Sequence, residues 1–232
     1  HNANAVDKVV AFLEDLQPDV FLDGGDIICA DCLSTYPKSH RQLVGLQDEI
    51  DEAKVWMGRI NRTIPNARKV LLKDNHFWRR LEDRKKGSVW LEDLNATKPE
   101  ALMKLDELGW SAVIKYQWKD TLVFIHGDDK NGSQDCPVNR SRKMVQLSGM
   151  SVVRFHSHVT GYEVSRHMGK EHCAIQMGAF EDTALNDYMK HPEMSNWTTS
   201  CGVFYLSKTS DEFHYVPIVF KSGRFIFNGK IY

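Results

Sequence analysis

Four short apolar runs in this 232-residue chain each end in side chains that can ligate a metal or carry a proton. Val20-Phe21-Leu22 runs into Asp23-Gly24-Gly25-Asp26, and Lys69 to Leu72 runs into Lys73-Asp74-Asn75-His76. Thr121 to Ile125 ends in His126-Gly127-Asp128-Asp129, and Val152 to Phe155 in His156-Ser157-His158. Carboxylate, amide oxygen and imidazole make a mixed hard and borderline donor set that suits manganese, iron or zinc better than calcium. Two such ions bridged by a carboxylate stand about 3.5 to 4 Å apart, close enough to share one hydroxide and to clamp the attacking and leaving oxygens of a phosphoryl group. A single histidine among these reads as a structural side chain. The ordered set Asp26, Asn75, His126, His156 and His158 reads as a metal site.

The elements that must position this set follow from hydrophobic period. Residues 3 to 16 place Val6, Val9, Val10 and Leu13 at helical spacing before Gln17-Pro18-Asp19 ends the pattern. Residues 40 to 64 carry Leu43, Leu46, Ile50, Ala53, Met57 and Ile60 in steps of three and four, the seam of a long amphipathic helix with room for pairing in a homodimer. A basic helix is expected over 77–86, a helix starting at Pro99 and stopped by Gly109, and another over 138–148. Strands are expected over 111–116, 121–125 and 152–155, then 161–166, 172–177, 201–207, 213–220 and 224–227, with a long loop at 181–199. A strand that ends in a polar tip delivers its ligand where open α/β sheets bind theirs. With no repeat or linker, residues 1–232 read as one α/β domain.

Thirty Lys and Arg against 31 Asp and Glu give a net charge of −1, so there is no global attraction to nucleic acid or to an anionic membrane. No apolar run approaches the roughly 20 residues that span a bilayer. Five scattered cysteines, Cys29, Cys32, Cys136, Cys173 and Cys201, suit reduced thiols in a cytoplasm better than a disulfide framework. Sequons at Asn61, Asn95, Asn131, Asn139 and Asn196 are discounted as chance tripeptides. The pair Cys29/Cys32 reads as packing rather than as half a zinc site, because no second pair exists. Arg79-Arg80 with Arg84-Lys85-Lys86, and the smaller group Arg140, Arg142 and Lys143, either line a path for phosphates or are solvated helix faces. Trp78, Trp110, Trp118 and Trp197 read as core or loop anchors, and His1, His40, His167, His172, His191 and His214 as structural or solvent-facing.

In order and spacing the motifs resemble those of the calcineurin-like metallophosphoesterases. Gly25-Asp26 resembles the family's second motif, Asn75-His76 its third, His126-Gly127 its fourth and His156-Ser157-His158 its fifth. The overall look is most similar to the small phosphodiesterases and nucleases of phages and bacteria. The resemblance implies a sandwich of two mixed β-sheets flanked by helices, and hydrolysis of a phosphoester by a metal-bound hydroxide. Asp26 would bridge two metals, Asn75, His126 and His156 would complete the second metal's shell, and His158 would bind the first. His76 would sit beside the scissile phosphate and either protonate the leaving oxygen or stabilise developing charge. Manganese is the expected metal, with iron, zinc or nickel as other occupants. The substrate would be a phosphodiester or nucleic acid, and the compartment a cytoplasm, the host's if the chain is phage-encoded.

Departures from the pattern matter too. The family's D-x-H motif does not precede the first helix, so the chain is read as lacking that strand, which would leave the first metal only Asp26 and His158 and the chain one ion instead of two. Asp74 stands where the family has Gly, Phe77 follows His76, Phe155 precedes the fifth motif, and Cys29 replaces an Asp. Two readings compete with it: a metal-depleted binding or scaffold protein on the same fold, and a phosphomonoesterase or protein Ser/Thr phosphatase.

Overall fold

The computed structural model describes residues 2–35, 44–128, 137–167, 169–181 and 196–232, and the side chains of Val89, residues 137–140 and His167 are left aside. His1, His40, Leu43, Asp129, Asn131, Cys136 and His191 lie outside the described residues, as does most of the expected 181–199 loop. The chain is mixed α/β, with helices α1 (Ala3–Leu16), α2 (Leu46–Thr63), α3 (Arg80–Lys85), α4 (Val89–Glu92), α5 (Pro99–Leu102), α6 (Leu105–Leu108) and α7 (Pro137–Ser148). Strands β1 (Val20–Asp23), β2 (Arg68–Leu72), β3 (Trp110–Val113), β4 (Lys115–Trp118), β5 (Leu122–Ile125) and β6 (Ser151–Arg154) precede β7 (Gly161–His167), β8 (Lys170–Gln176), β9 (Ser200–Leu206), β10 (Phe213–Val219), β11 (Ile226–Phe227) and β12 (Lys230–Ile231). No helix among the described residues is long and apolar enough to cross a membrane. Chain contacts divide it into two compact units, residues 16–114 and residues 1–15 with 115–232.

In the unit formed by residues 16–114, β1, β2 and β3 form a parallel sheet in that order. Parallel pairing sends the ends of β1 and β2 the same way, so the 23–26 and 73–76 tips leave one edge side by side. β2 is buried from Lys69 to Leu72, as a strand covered on both faces must be. The helix seam is found at Ile50, Ala53, Met57 and Ile60, all 3% exposed or less. Two expectations change here. The helix from Pro99 to Gly109 is broken into α5 and α6, because Lys104 adopts a left-handed conformation at φ 54°. The expected strand 111–116 is two strands: β3 pairs with β2, whereas β4 pairs antiparallel with β5, and Ile114 between them is 77% exposed.

In the other unit β4-β5-β6-β8-β7 form a five-stranded mixed sheet whose central pairs β5/β6 and β6/β8 are parallel. Helix α7 covers one face, where Val145 packs with Val123, Val152 and Ala174, and the Ser141 hydroxyl donates to the Ile175 carbonyl. The β9/β10 hairpin covers the other, with the Phe204 ring 4.9 Å from Phe124 and Tyr215 5.3 Å from Tyr162. Helix α1 buries Ala5, Val9, Phe12 and Leu13, a stripe rotated from the expected one, because Phe12 packs edge-on against Phe225, Phe227 and Tyr232. The β11/β12 pair that supplies these rings ends in a strand the sequence patterning does not reveal, since two residues show no period.

Candidate metal centre

In the unit built on the five-stranded sheet, the parallel strands β5 and β6 end in register, Ile125 opposite Arg154. The next residues are therefore delivered side by side. The carbonyl of His126 accepts from the backbone N–H of both Phe155 and His156, at 3.1 Å each, which wraps the end of β6 around His126. The two imidazoles meet edge to face with centroids 5.1 Å apart, and Nδ1 of His156 lies 3.3 Å from Nε2 of His126. His126 is 2% exposed.

Gly127 has a physical reason to follow His126. It sits at φ +95°, and a Cβ there would stand 2.5 Å from Nε of Arg154. Arg154 is a buried cation at the end of β6, and its guanidinium donates to the Gly127 carbonyl. A charge this far from water must be hydrogen-bonded to be tolerated, so the glycine makes room for the group that fixes the loop.

His158 sits at φ +59°, its N–H donating to the Phe155 carbonyl at 3.3 Å and its carbonyl accepting from Thr198 N–H at 2.9 Å. Nδ1 of His158 lies 3.4 Å from Glu181 Oε2, and its ring stands edge-on to Trp197 at 4.2 Å. Trp197 is thus a loop anchor, placed against a candidate ligand.

In the unit of residues 16–114, Asp26 follows β1 at φ +59°, a conformation Asp tolerates better than bulkier residues. The Asp23 carboxylate accepts from Gly25 N–H at 3.0 Å. The buried Asp74 side chain accepts from Asp26 N–H and from Phe77 N–H, both at 2.8 Å. It thereby caps the turn Asn75–Arg79, a wide one closed by Arg79 N–H on the Asp74 carbonyl, and brings that turn to the Asp26 loop. Phe77 and Trp78 seal the turn from below, 0% and 4% exposed.

Three residues of the basic stretch after His76, Arg80, Arg84 and Lys86, are engaged with protein groups. Arg80 donates to the Cys29 carbonyl at 2.6 Å and to the Asp31 carboxylate at 2.8 Å, and Arg84 donates to the carbonyls of Leu33 and Ser34. These two arginines staple the loop that follows Asp26. Lys86 pairs with Asp83, and Arg142 with Glu163. Cys29 and Cys32 are exposed on that loop and in no disulfide, and Ala30 N–H donates to Glu49 at 2.8 Å. Partial burial holds the Glu49 carboxyl above the usual glutamate range.

Of the expected residues, the structure brings His126 to His156 in one unit, and Asp26 to the Asn75-His76 turn in the other. Of the residues read as structural or solvent-facing, His172 is buried and His214 exposed. Asp74, Arg154, Glu181 and Glu49 carry contacts that motif reading passes over. Only Asp74 leaves a local trace, as an N-cap residue type ahead of a helical stretch. No family model and no curated protein matches this chain.

Proposed function

We propose that this chain is a metal-dependent phosphoesterase, acting on phosphodiesters, whose cation is held by His126 and His156; in the other unit, Asp26 and Asn75 are the ligands that the motif resemblance implies. The observation that carries the reading is the 3.3 Å separation of His156 Nδ1 and His126 Nε2. A first-row metal bonded at about 2.1 Å to two nitrogens, at angles of roughly 90 to 110°, holds them about 3.0 to 3.4 Å apart. The two imidazoles fit such an ion in spacing, and imidazole, carboxylate and amide oxygen suit manganese, iron or zinc in chemistry. When bound, the ion supplies Lewis-acid polarisation of a phosphoryl oxygen and a water of lowered pKa.

The chain's own residues do the rest. His126 is fixed by the backbone of β6 folded onto its carbonyl, so its nitrogen costs little to orient. Arg154 and Gly127 hold that loop. His76 follows Asn75 on the capped turn, where an imidazolium protonates the leaving oxygen. In this reading the fold is that of the calcineurin-like metallophosphoesterases, and His158 is a ligand of a second ion. The engagement of Arg80 and Arg84 with the 29–34 loop removes them as a phosphate track, so the preference for diesters rests on the motif resemblance.

The test is to load the full chain with manganese, remove free ion by gel filtration, and measure bound metal and hydrolysis of bis-p-nitrophenyl phosphate against p-nitrophenyl phosphate. One or two ions per chain with faster diester cleavage is the expected result. A chain that retains no manganese, iron or zinc overturns the reading in favour of a scaffold, and faster monoester cleavage reassigns the substrate class.

A further inference from the structure

We infer that Asp74 is a positioning residue that locks the Asp26 loop and the Asn75-His76 turn into one unit. The inference deepens the proposed function and rests on it for the role of Asp26 as a ligand. Its two carboxylate oxygens are divided between two loops 48 residues apart in sequence: Oδ2 accepts from Asp26 N–H and Oδ1 from Phe77 N–H, each at 2.8 Å. Asp74 is 5% exposed, so neither bond competes with bulk water.

Each bond does something different. The one to Phe77 caps the turn on which Asn75 and His76 are the first residues. The one to Asp26 holds the backbone of a residue in the left-handed region, φ +59°, where an L side chain is strained and stays only if its surroundings fix it. A residue with one acceptor could serve either loop. A carboxylate serves both, so the ligand Asp26 and the proton donor His76 keep a set relation before any substrate arrives. This gives a physical role to the acid that stands where the resembling family has glycine.

The experiment compares the full wild-type chain with Asp74→Ala, Asp74→Asn and a control, Asn61→Ala. Asn61 bonds the Leu108 carbonyl and the Trp110 indole at the start of β3, the opposite end of the parallel sheet, so its loss perturbs the same unit away from the loops. Two readouts are taken: hydrogen exchange of the Asp26 and Phe77 amides in metal-free protein, and the dissociation constant for manganese. The expected result is that Asp74→Ala deprotects both amides and weakens manganese about 10- to 100-fold, that Asp74→Asn deprotects one amide, and that Asn61→Ala changes neither. Unaltered exchange at Asp26 in Asp74→Ala, or unchanged manganese affinity once that amide is deprotected, overturns the inference. Should Asp74→Ala not fold, Asp74→Asn decides: unaltered exchange at both amides, or unchanged manganese affinity once the Asp26 amide is deprotected, overturns the inference. A wild-type chain that binds no manganese refutes the proposed function instead, and the amide exchange alone then decides whether Asp74 joins the loops.

Discussion

His126 and His156 present ring nitrogens to each other at 3.3 Å, from the ends of two adjacent parallel strands. Parallel neighbours end at one edge, so two residues that follow such strands are delivered together without a dedicated loop. If this pair holds a cation, His126→Ala lowers bound manganese by one ion per chain after gel filtration. A full complement in that variant would show that the pair is a hydrogen-bonded structural contact.

His76 is assigned to proton transfer and not to metal binding. Replacing it by alanine is expected to lower turnover of a diester by about 10²-fold while bound manganese stays at the wild-type level. Elemental analysis and steady-state kinetics on the same preparation separate the two effects. Loss of metal together with activity would place His76 among the ligands.

Gly127→Ala forces a Cβ to 2.5 Å from the Arg154 guanidinium in a backbone conformation, φ +95°, that L residues rarely adopt. The strain and the displaced buried cation together should cost about 2 to 4 kcal/mol in urea unfolding. A change under about 0.5 kcal/mol would mean that the loop relaxes without cost.

Glu49 gives a pH dependence whose sign can be worked out. Burial raises its carboxyl above the ordinary value of 4.5, so the folded chain holds this proton to higher pH than the unfolded chain does. The associated stability is complete below the ordinary value and is lost as pH rises through the raised one. Glu49→Gln keeps an oxygen for the Ala30 N–H and carries no charge. The variant should therefore gain stability relative to wild type between pH 4 and 7, measured by denaturant titration at each pH. A difference that is flat or reversed across that range would show that the carboxylate is well solvated.

Much of this architecture is legible in the sequence where a local pattern reflects burial. The seam Ile50, Ala53, Met57, Ile60 and the apolar runs ending at Asp26, Asn75 and His126 are of this kind, because helix period and strand ends are local properties. What a local pattern does not encode is a change of partner. Ile114 continues the apolar run 111–116 and so hides the break between β3 and β4, although it faces solvent. Phe12 is likewise an ordinary helical position until rings from the far end of the chain close on it. The candidate site divides the same way: its motif residues are visible, whereas Asp74 and Glu181 act through contacts 48 and 23 residues distant in sequence.

The pairing of α1 with the β11/β12 segment bears on the order in which the chain is made. Lys230 bonds Asp15 across 215 residues, and Phe12 finds its ring partners at Phe225, Phe227 and Tyr232. During synthesis the helix leaves the ribosome before the rings of Phe225, Phe227 and Tyr232 that pack on Phe12. Residues 16–114 have all their own strands as soon as β3 emerges, so they can fold while α1 waits. The interval is a window in which Phe12 lacks its ring partners and is open to a chaperone, and it closes when Phe225, Phe227 and Tyr232 arrive.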